Sequence, residues 1–219
     1  MRLDSENSRY YGDSGWPSDP ALFAEVAVNW KHWIGHASEH LYAAQLLLSS
    51  VQQRDREIER LVKGRVSGQV RLVPSLTAIY FLHCAVAIEN SFKGVIAVKH
   101  VAKIKREMND THRVPNILLG HDLVVLAQRA GFYVGTDEEY MLAFLSRYGT
   151  WAGRYPIPLR NVDNGVTDEL SNGNYYMTGG YRTDHVPAFA AFSGTIYSWA
   201  SAAVDVTQSG ETREGRGPA

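Results

Sequence analysis

The sequence predicts an all-α protein, an antiparallel up-and-down bundle of four to five helices. Apolar residues recur at helical spacing through several long segments, and prolines and glycines mark where those segments begin and end. One segment is apolar nearly all round, as expected of a central helix. The chain has 219 residues, of which 45% are hydrophobic, enough for a single domain with a sizeable core.

The first predicted helix runs from Pro20 to about Gly64. Asp19 is a good N-cap acceptor, and proline is favoured at the first helical position. Aromatic and aliphatic side chains then follow at helical spacing and form a continuous stripe. The preceding residues 1–19 are polar and are predicted to be a flexible arm.

The second predicted helix, Leu76–Arg106, follows a glycine-containing connection that ends at Pro74. Its first half is apolar on almost every side, which indicates the most buried helix of the bundle. The same half contains charged residues that are too costly for a membrane span, so we expect a core helix and no membrane association.

Three shorter helices are predicted over 118–131, 136–153 and 187–206. His121 or Gly120 is expected to cap the first of these helices, and Gly131 to end it. Thr136 followed by Glu139 has the spacing of a capping box at the start of the next helix.

The domain is predicted to span 20–208, with an irregular excursion at 157–184 and a disordered tail at 209–219. The excursion is rich in glycine, asparagine and tyrosine and shows no periodicity. A segment of that length without secondary structure is often functional.

Charge and cysteine content exclude some classes of protein. The formal net charge of −1 argues against a surface built throughout to bind phosphates. Cys84 is the single cysteine, so neither an intramolecular disulfide nor a cysteine zinc site is expected. The polar N-terminal sequence resembles no signal peptide, and we predict a cytoplasmic protein.

Four features follow one another in an order that resembles the HEPN superfamily of small helical bundles. They are a long first helix with an aromatic and alanine-rich face, the run AIENSFKGVIAVKH at 87–100, the run GHDLVVLAQRAG at 120–131, and a helix that continues into GRYP at 153–156. The resemblance covers roughly residues 20–156. It implies an up-and-down bundle that commonly dimerises, in a family with members in toxin–antitoxin, phage-defence and RNA-processing systems.

Catalytic members of this family are metal-independent endoribonucleases with an arginine and, a few residues later, a histidine. The resemblance aligns Arg154 with the arginine of this family motif. The next histidine, His185, is much further along the chain. RNA cleavage without metal needs a base for the 2′-hydroxyl proton and a cation beside the phosphate. The base would have to come from a distant residue, with His185 and His121 as candidates.

We therefore predict a non-catalytic module that binds RNA, a nucleotide or a partner protein, as a homodimer and without a cofactor. One alternative is a ribonuclease or toxin that uses Arg154 with a sequence-distant histidine. Another is a structural subunit of a phage or operon-encoded complex, with 157–184 as its interaction surface.

A polar pocket is a candidate ligand site. Glu89 and Lys93 are four residues apart in an apolar segment, so they are expected to form a partly buried ion pair. Arg154 and Tyr155 are candidates to complete the pocket. The alternative is a purely structural ion pair.

Histidines also occur at His32, His36 and His40, which lie along one helical face. We interpret them as a half-exposed polar stripe and predict no metal site, although a distant fourth residue would make them weak candidates for zinc. His83 is interpreted as a hydrogen-bonded core histidine. Asp122 is interpreted as a stabiliser of a helix start rather than a member of a catalytic dyad with His121.

Overall fold

The computed structural model describes residues 20–64, 75–152, 167–169, 175–177 and 186–214. Seven α-helices pack together in an all-α architecture: α1 (Pro20–Val28), α2 (Trp30–Val62), α3 (Thr77–Lys99), α4 (Val101–Thr111), α5 (Leu123–Ala130), α6 (Thr136–Arg147) and α7 (Val186–Glu214). A π-helical turn, Tyr148–Ala152, continues α6.

Two three-residue strands, β1 (Thr167–Glu169) and β2 (Tyr175–Met177), pair antiparallel within the predicted excursion. The rest of that excursion lies outside the described residues, as does the predicted arm at 1–19. The role of the excursion as an interaction surface stays a prediction.

The number of helices was underestimated, because each of the two long predicted helices is broken once. Asn29 separates α1 from α2 and caps α2, with its Oδ1 accepting a hydrogen bond from the Lys31 backbone N–H at 3.1 Å. His100 separates α3 from α4 with a non-helical backbone. The breaks let α1 and α4 pack against each other, and an ion pair of 2.6 Å between Lys105 and Glu25 joins them.

Helix α3 is the interior helix, as predicted for this segment. It packs against every other helix and against the π-helical turn. Phe81, Ile88, Phe92 and Ile96 on it are completely buried. Its length and apolar character would suit a membrane span, but 78% of its most apolar window is buried inside the molecule, as in a core helix.

The helices around α3 do not all run antiparallel to it. Contacts from Trp33 to Lys93 and from His40 to His83 show that α2 and α3 are antiparallel. Contacts from Tyr80 to Val186 and from Phe92 to Trp199 show that α7 runs parallel to α3. The predicted up-and-down order would alternate the directions of the second and last helices, and the parallel packing of α3 and α7 differs from it at this pair. Short loops force antiparallel neighbours only when helices are consecutive, and α3 and α7 are not.

The two ends of α5 are well defined, and the candidate site lies at its start. Asp122 is the N-cap, and its Oδ1 accepts hydrogen bonds from the backbone N–H groups of Val124 and Val125 at 3.0 and 3.1 Å. Asp122 therefore stabilises the helix start, as interpreted from the sequence, and the alternative prediction of His121 or Gly120 as the cap is wrong. Gly131 ends the helix with a φ of 76°, as predicted.

Two other predicted helix ends differ from those observed. The capping box at Thr136 does not form, because Gly135 occupies the N-cap position and Thr136 is already the first helical residue. Helix α7 begins at Val186 and continues to Glu214, beyond its predicted end at 206.

Candidate functional site

A buried carboxylate on α3 holds the candidate site together. Glu89 Oε1 accepts a hydrogen bond from Lys93 Nζ at 2.7 Å, and its Oε2 lies 2.9 Å from His121 Nδ1. Glu89 and Lys93 are one turn apart on α3, whereas His121 immediately precedes Asp122, the N-cap of α5. The three side chains thus join the central helix to the start of α5.

The ion pair is almost completely shielded from water. The Lys93 and Glu89 side chains are only 8% and 11% exposed. Burial of a charge costs several kcal/mol unless a partner of opposite charge is in contact, so each of these groups needs the other. Lys93 Nζ also lies 5.9 Å from the centroid of the Trp33 ring, a cation–π contact that connects the pair to α2.

His121 is held on one edge only. Because Nδ1 faces a carboxylate, the hydrogen bond requires the proton to be on Nδ1. The side chain is 45% exposed, and among the described residues Nε2 has no hydrogen-bond partner. The neutral ring therefore presents a lone pair at Nε2 that can accept a proton, and the protonated ring presents an N–H that can bind an anion.

The backbone next to His121 is also fixed. Asp122 caps α5, and the backbone N–H of Leu123 donates to Ser146 Oγ on α6 at 2.9 Å. Ser146 Oγ in turn donates to the Leu142 carbonyl at 2.8 Å. Hydrogen bonds to α5 and α6 therefore fix the backbone beside the His121 imidazole.

No protein-family model matches this chain, and comparison with the curated proteins and with the solved structures gives no match either. The structure supports an all-helical protein, and no family or homologue is identified. The HEPN resemblance consequently rests on the sequence features at 20–156 alone.

A second polar contact joins α2 to α3 on the same side of the molecule. His40 Nδ1 and His83 Nδ1 lie 2.8 Å apart, with ring centroids separated by 5.0 Å. Burial lowers the pKa of both imidazoles. His83 and His36 lower the pKa of His40 further, whereas the carboxylates of Glu39 and Glu89 oppose the shift. His83 is therefore hydrogen-bonded, as predicted.

The histidine face predicted on the first helix divides into separate contacts. His36 forms an exposed ion pair with Glu39 at 3.2 Å, and His40 turns toward His83 on α3. Among the residues that the structure describes, no three histidine, cysteine, aspartate or glutamate side chains converge in a way that would hold a metal ion. His32, also exposed, takes no part in either contact.

Three predicted site residues, Arg154, Tyr155 and His185, lie outside the described residues. The π-helical turn that leads toward Arg154 packs on α3, where a Cβ added to Gly149 would lie 3.4 Å from Ala85 Cβ. Ala85 is one helical turn before Glu89. The chain therefore passes close to the site shortly before Arg154, and the contact of Arg154 with Glu89 stays a prediction.

Several lysines at the end of α3 and on α4 have local structural roles. Lys99 Nζ donates to the Ala130 carbonyl at the end of α5 at 2.6 Å, and Lys105 pairs with Glu25. Lys103 faces Glu107 at 3.8 Å. These three lysines thus contact acceptors within the fold.

Sequence reasoning missed the contact between His121 and Glu89. One signal was available: a buried carboxylate has two oxygens, and a single lysine satisfies only one of them well. From the sequence, Arg154 and Tyr155 are instead the candidate partners of the buried pair. The contact of His40 with His83 had no signal in the sequence, because it depends on the relative placement of two helices.

Proposed function

We propose that this protein is a HEPN-like, non-catalytic helical module that binds RNA or a nucleotide through a phosphate group at Glu89, Lys93 and His121. The observation that carries the proposal is the hydrogen bond of 2.9 Å between His121 Nδ1 and the buried Glu89 carboxylate. This bond orients the ring through Nδ1 alone and leaves Nε2 of the half-exposed side chain available for a ligand. When His121 is protonated, two cations outweigh the one carboxylate, and the site attracts an anion.

The fixed geometry supports binding because little conformational entropy remains to be lost. The imidazole is already oriented by Glu89, and its backbone is held by α5 and α6. Arg154 and Tyr155, which follow the π-helical turn in the sequence, are proposed to add a further cation and an aromatic ring to the ligand site. The HEPN-like sequence pattern supports a cytoplasmic homodimer with a regulatory, defence or toxin–antitoxin role.

A matched pair of variants tests this proposal. In His121→Asn the amide nitrogen takes the place of Nδ1 and keeps a donor for Glu89, while the Nε2 edge is lost. The control is His112→Asn, since His112 is exposed and has a φ of 54°, a left-handed conformation that asparagine tolerates.

Fluorescence anisotropy with a short labelled single-stranded RNA and with a labelled nucleoside diphosphate measures the effect. We expect His121→Asn to weaken binding about 10- to 100-fold, the range for one hydrogen bond to a charged group. His112→Asn should bind like the wild type. Equal affinity for all three proteins, or no binding of either probe, would refute the proposed site.

Metal-independent RNA cleavage is the second candidate function. The specific observation in its favour is that a carboxylate orients Nδ1 of a histidine, which is the arrangement that prepares Nε2 as a general base. Nε2 would take the 2′-hydroxyl proton as that oxygen bonds to the adjacent phosphorus. The 5′-oxygen would leave with its electron pair, take a proton from water and release a 2′,3′-cyclic phosphate end, with Arg154 beside the phosphate.

Incubation of varied RNA substrates with the protein and a chelator distinguishes the two functions. Cleavage that is lost in His121→Asn and in Arg154→Ala, and kept in His112→Asn, would establish catalysis. Binding without cleavage would leave the module non-catalytic. Cleavage that persists in His121→Asn would exclude His121 as the base.

A further inference from the structure

The contact between His40 and His83 restricts how many protons the two rings can hold. Their Nδ1 atoms are 2.8 Å apart, a hydrogen-bond distance, and both residues are partly buried. A hydrogen bond between two such nitrogens needs one proton between them, because one nitrogen donates and the other accepts. Two neutral rings satisfy this, and so do one neutral and one protonated ring.

A second added proton is incompatible with this contact. When both imidazoles are cations, each Nδ1 carries a hydrogen, and two donors with like charge then face each other. The contact must open for both rings to be protonated. Since His40 belongs to α2 and His83 to α3, opening removes a contact that joins these two helices.

We propose that the histidine pair, His40 and His83, is a pH-dependent switch that holds α2 against α3 at neutral pH and releases this part of the helix interface in acid. The switch is independent of the ligand proposed for Glu89, Lys93 and His121. It requires only that the two ring nitrogens stay within hydrogen-bond distance and that they belong to different helices.

The neighbouring carboxylates, Glu39 and Glu89, oppose the lowering of the His40 pKa only in part. On α2, Glu39 is already in contact with His36, whose Nδ1 lies 3.2 Å from the Glu39 carboxylate. On α3, both oxygens of Glu89 are occupied, one by Lys93 and the other by His121 from the start of α5. Each nearby carboxylate thus already has a cationic or histidine partner.

The direction of the pKa changes agrees with this switch. Burial lowers the pKa of both imidazoles below their ordinary value of 6.5, and the proximity of His83 lowers the pKa of His40 further. The unfolded chain therefore binds more protons than the folded protein in the range below 6.5. This contribution to stability is fully present above pH 6.5 and is lost as the pH falls toward the lower folded-state values.

Amide hydrogen exchange of α2 tests the switch in the full-length chain. Exchange of the amides near His40, corrected for intrinsic rates, is compared at about pH 7.5 and about pH 5. We expect protection in this segment to fall about tenfold in acid, equivalent to about 1.4 kcal/mol. In His83→Asn the side-chain amide replaces Nδ1 and retains a hydrogen-bonding group that does not titrate, so protection should stay nearly constant.

His112→Asn is the control and should behave like the wild type. Protection near His40 that does not change with pH in the wild type would overturn the proposal, as would an equal loss in His83→Asn. If His83→Asn does not fold, nitrogen-15 NMR of the wild-type histidines tests the switch instead. Two separate protonation steps, the second with altered amide shifts in α2, support the switch, and independent titration with unchanged shifts refutes it.

Discussion

At the scale of single residues, Glu89 determines how three elements meet. Its carboxylate binds Lys93 on the same helix and His121 before α5, and Lys93 contacts Trp33 on α2. The sequence predicted the pair with Lys93 because that contact is local on a helix. It did not predict His121, because 32 residues separate the two side chains and only the docking of α5 brings them together.

Replacement of Lys93 by methionine should destabilise the fold by about 3–5 kcal/mol, because it leaves the Glu89 carboxylate buried without its cation. Lys103→Met is a matched control. Lys103 faces Glu107 at the same helical spacing, but its side chain is 50% exposed, and surface pairs contribute about 0–1 kcal/mol. Urea unfolding at neutral pH measures both free energies.

The double variant Glu89→Gln, Lys93→Met removes both charges and should recover much of the lost free energy of unfolding. Costs of similar size for Lys93→Met and Lys103→Met would show that the buried pair is not an important source of stability. A double variant as unstable as Lys93→Met would show that packing, and not charge, accounts for the loss.

At the scale of elements, periodicity predicted which segments are helical but not where two of them break. The apolar stripe continues across Asn29, so spacing alone predicted one continuous helix. In the structure Asn29 caps a second helix, which begins at Trp30. Nothing in the sequence marked His100, whose backbone leaves the helical conformation without a capping side chain. By contrast, the end of α5 at Gly131 was predicted correctly, because glycine is the residue that adopts a positive φ most easily.

Alanine at two glycines should have effects of opposite sign. Gly131→Ala should lower the free energy of unfolding by about 1–2 kcal/mol, because φ is 76° and the added Cβ would lie 2.9 Å from Lys99 Nζ. Gly35→Ala should raise it by about 0.5–1 kcal/mol, because Gly35 lies inside α2 with no atom within 4 Å of the added Cβ. Urea unfolding compares the two variants, and effects of the same sign would contradict the helix assignments.

At the scale of the whole molecule, the central position of α3 was predictable and its surroundings were only partly so. A helix that is apolar on nearly every side must be covered on every side, and the other six helices cover it. The direction of α7, which packs parallel to α3, was not predictable. Loop lengths constrain only consecutive helices, and α3 and α7 are far apart in the sequence.

The candidate site follows from this arrangement, since α3 supplies Glu89 and Lys93 and the helices around it supply their partners. We propose that His121 uses Nδ1 to hold Glu89 and Nε2 to bind phosphate. Nitrogen-15 NMR of the histidine rings during a titration with single-stranded RNA tests this directly. The His121 Nε2 resonance should shift as RNA binds, while Nδ1 stays hydrogen-bonded. A His121 Nε2 resonance that does not change at saturating RNA would contradict this proposal.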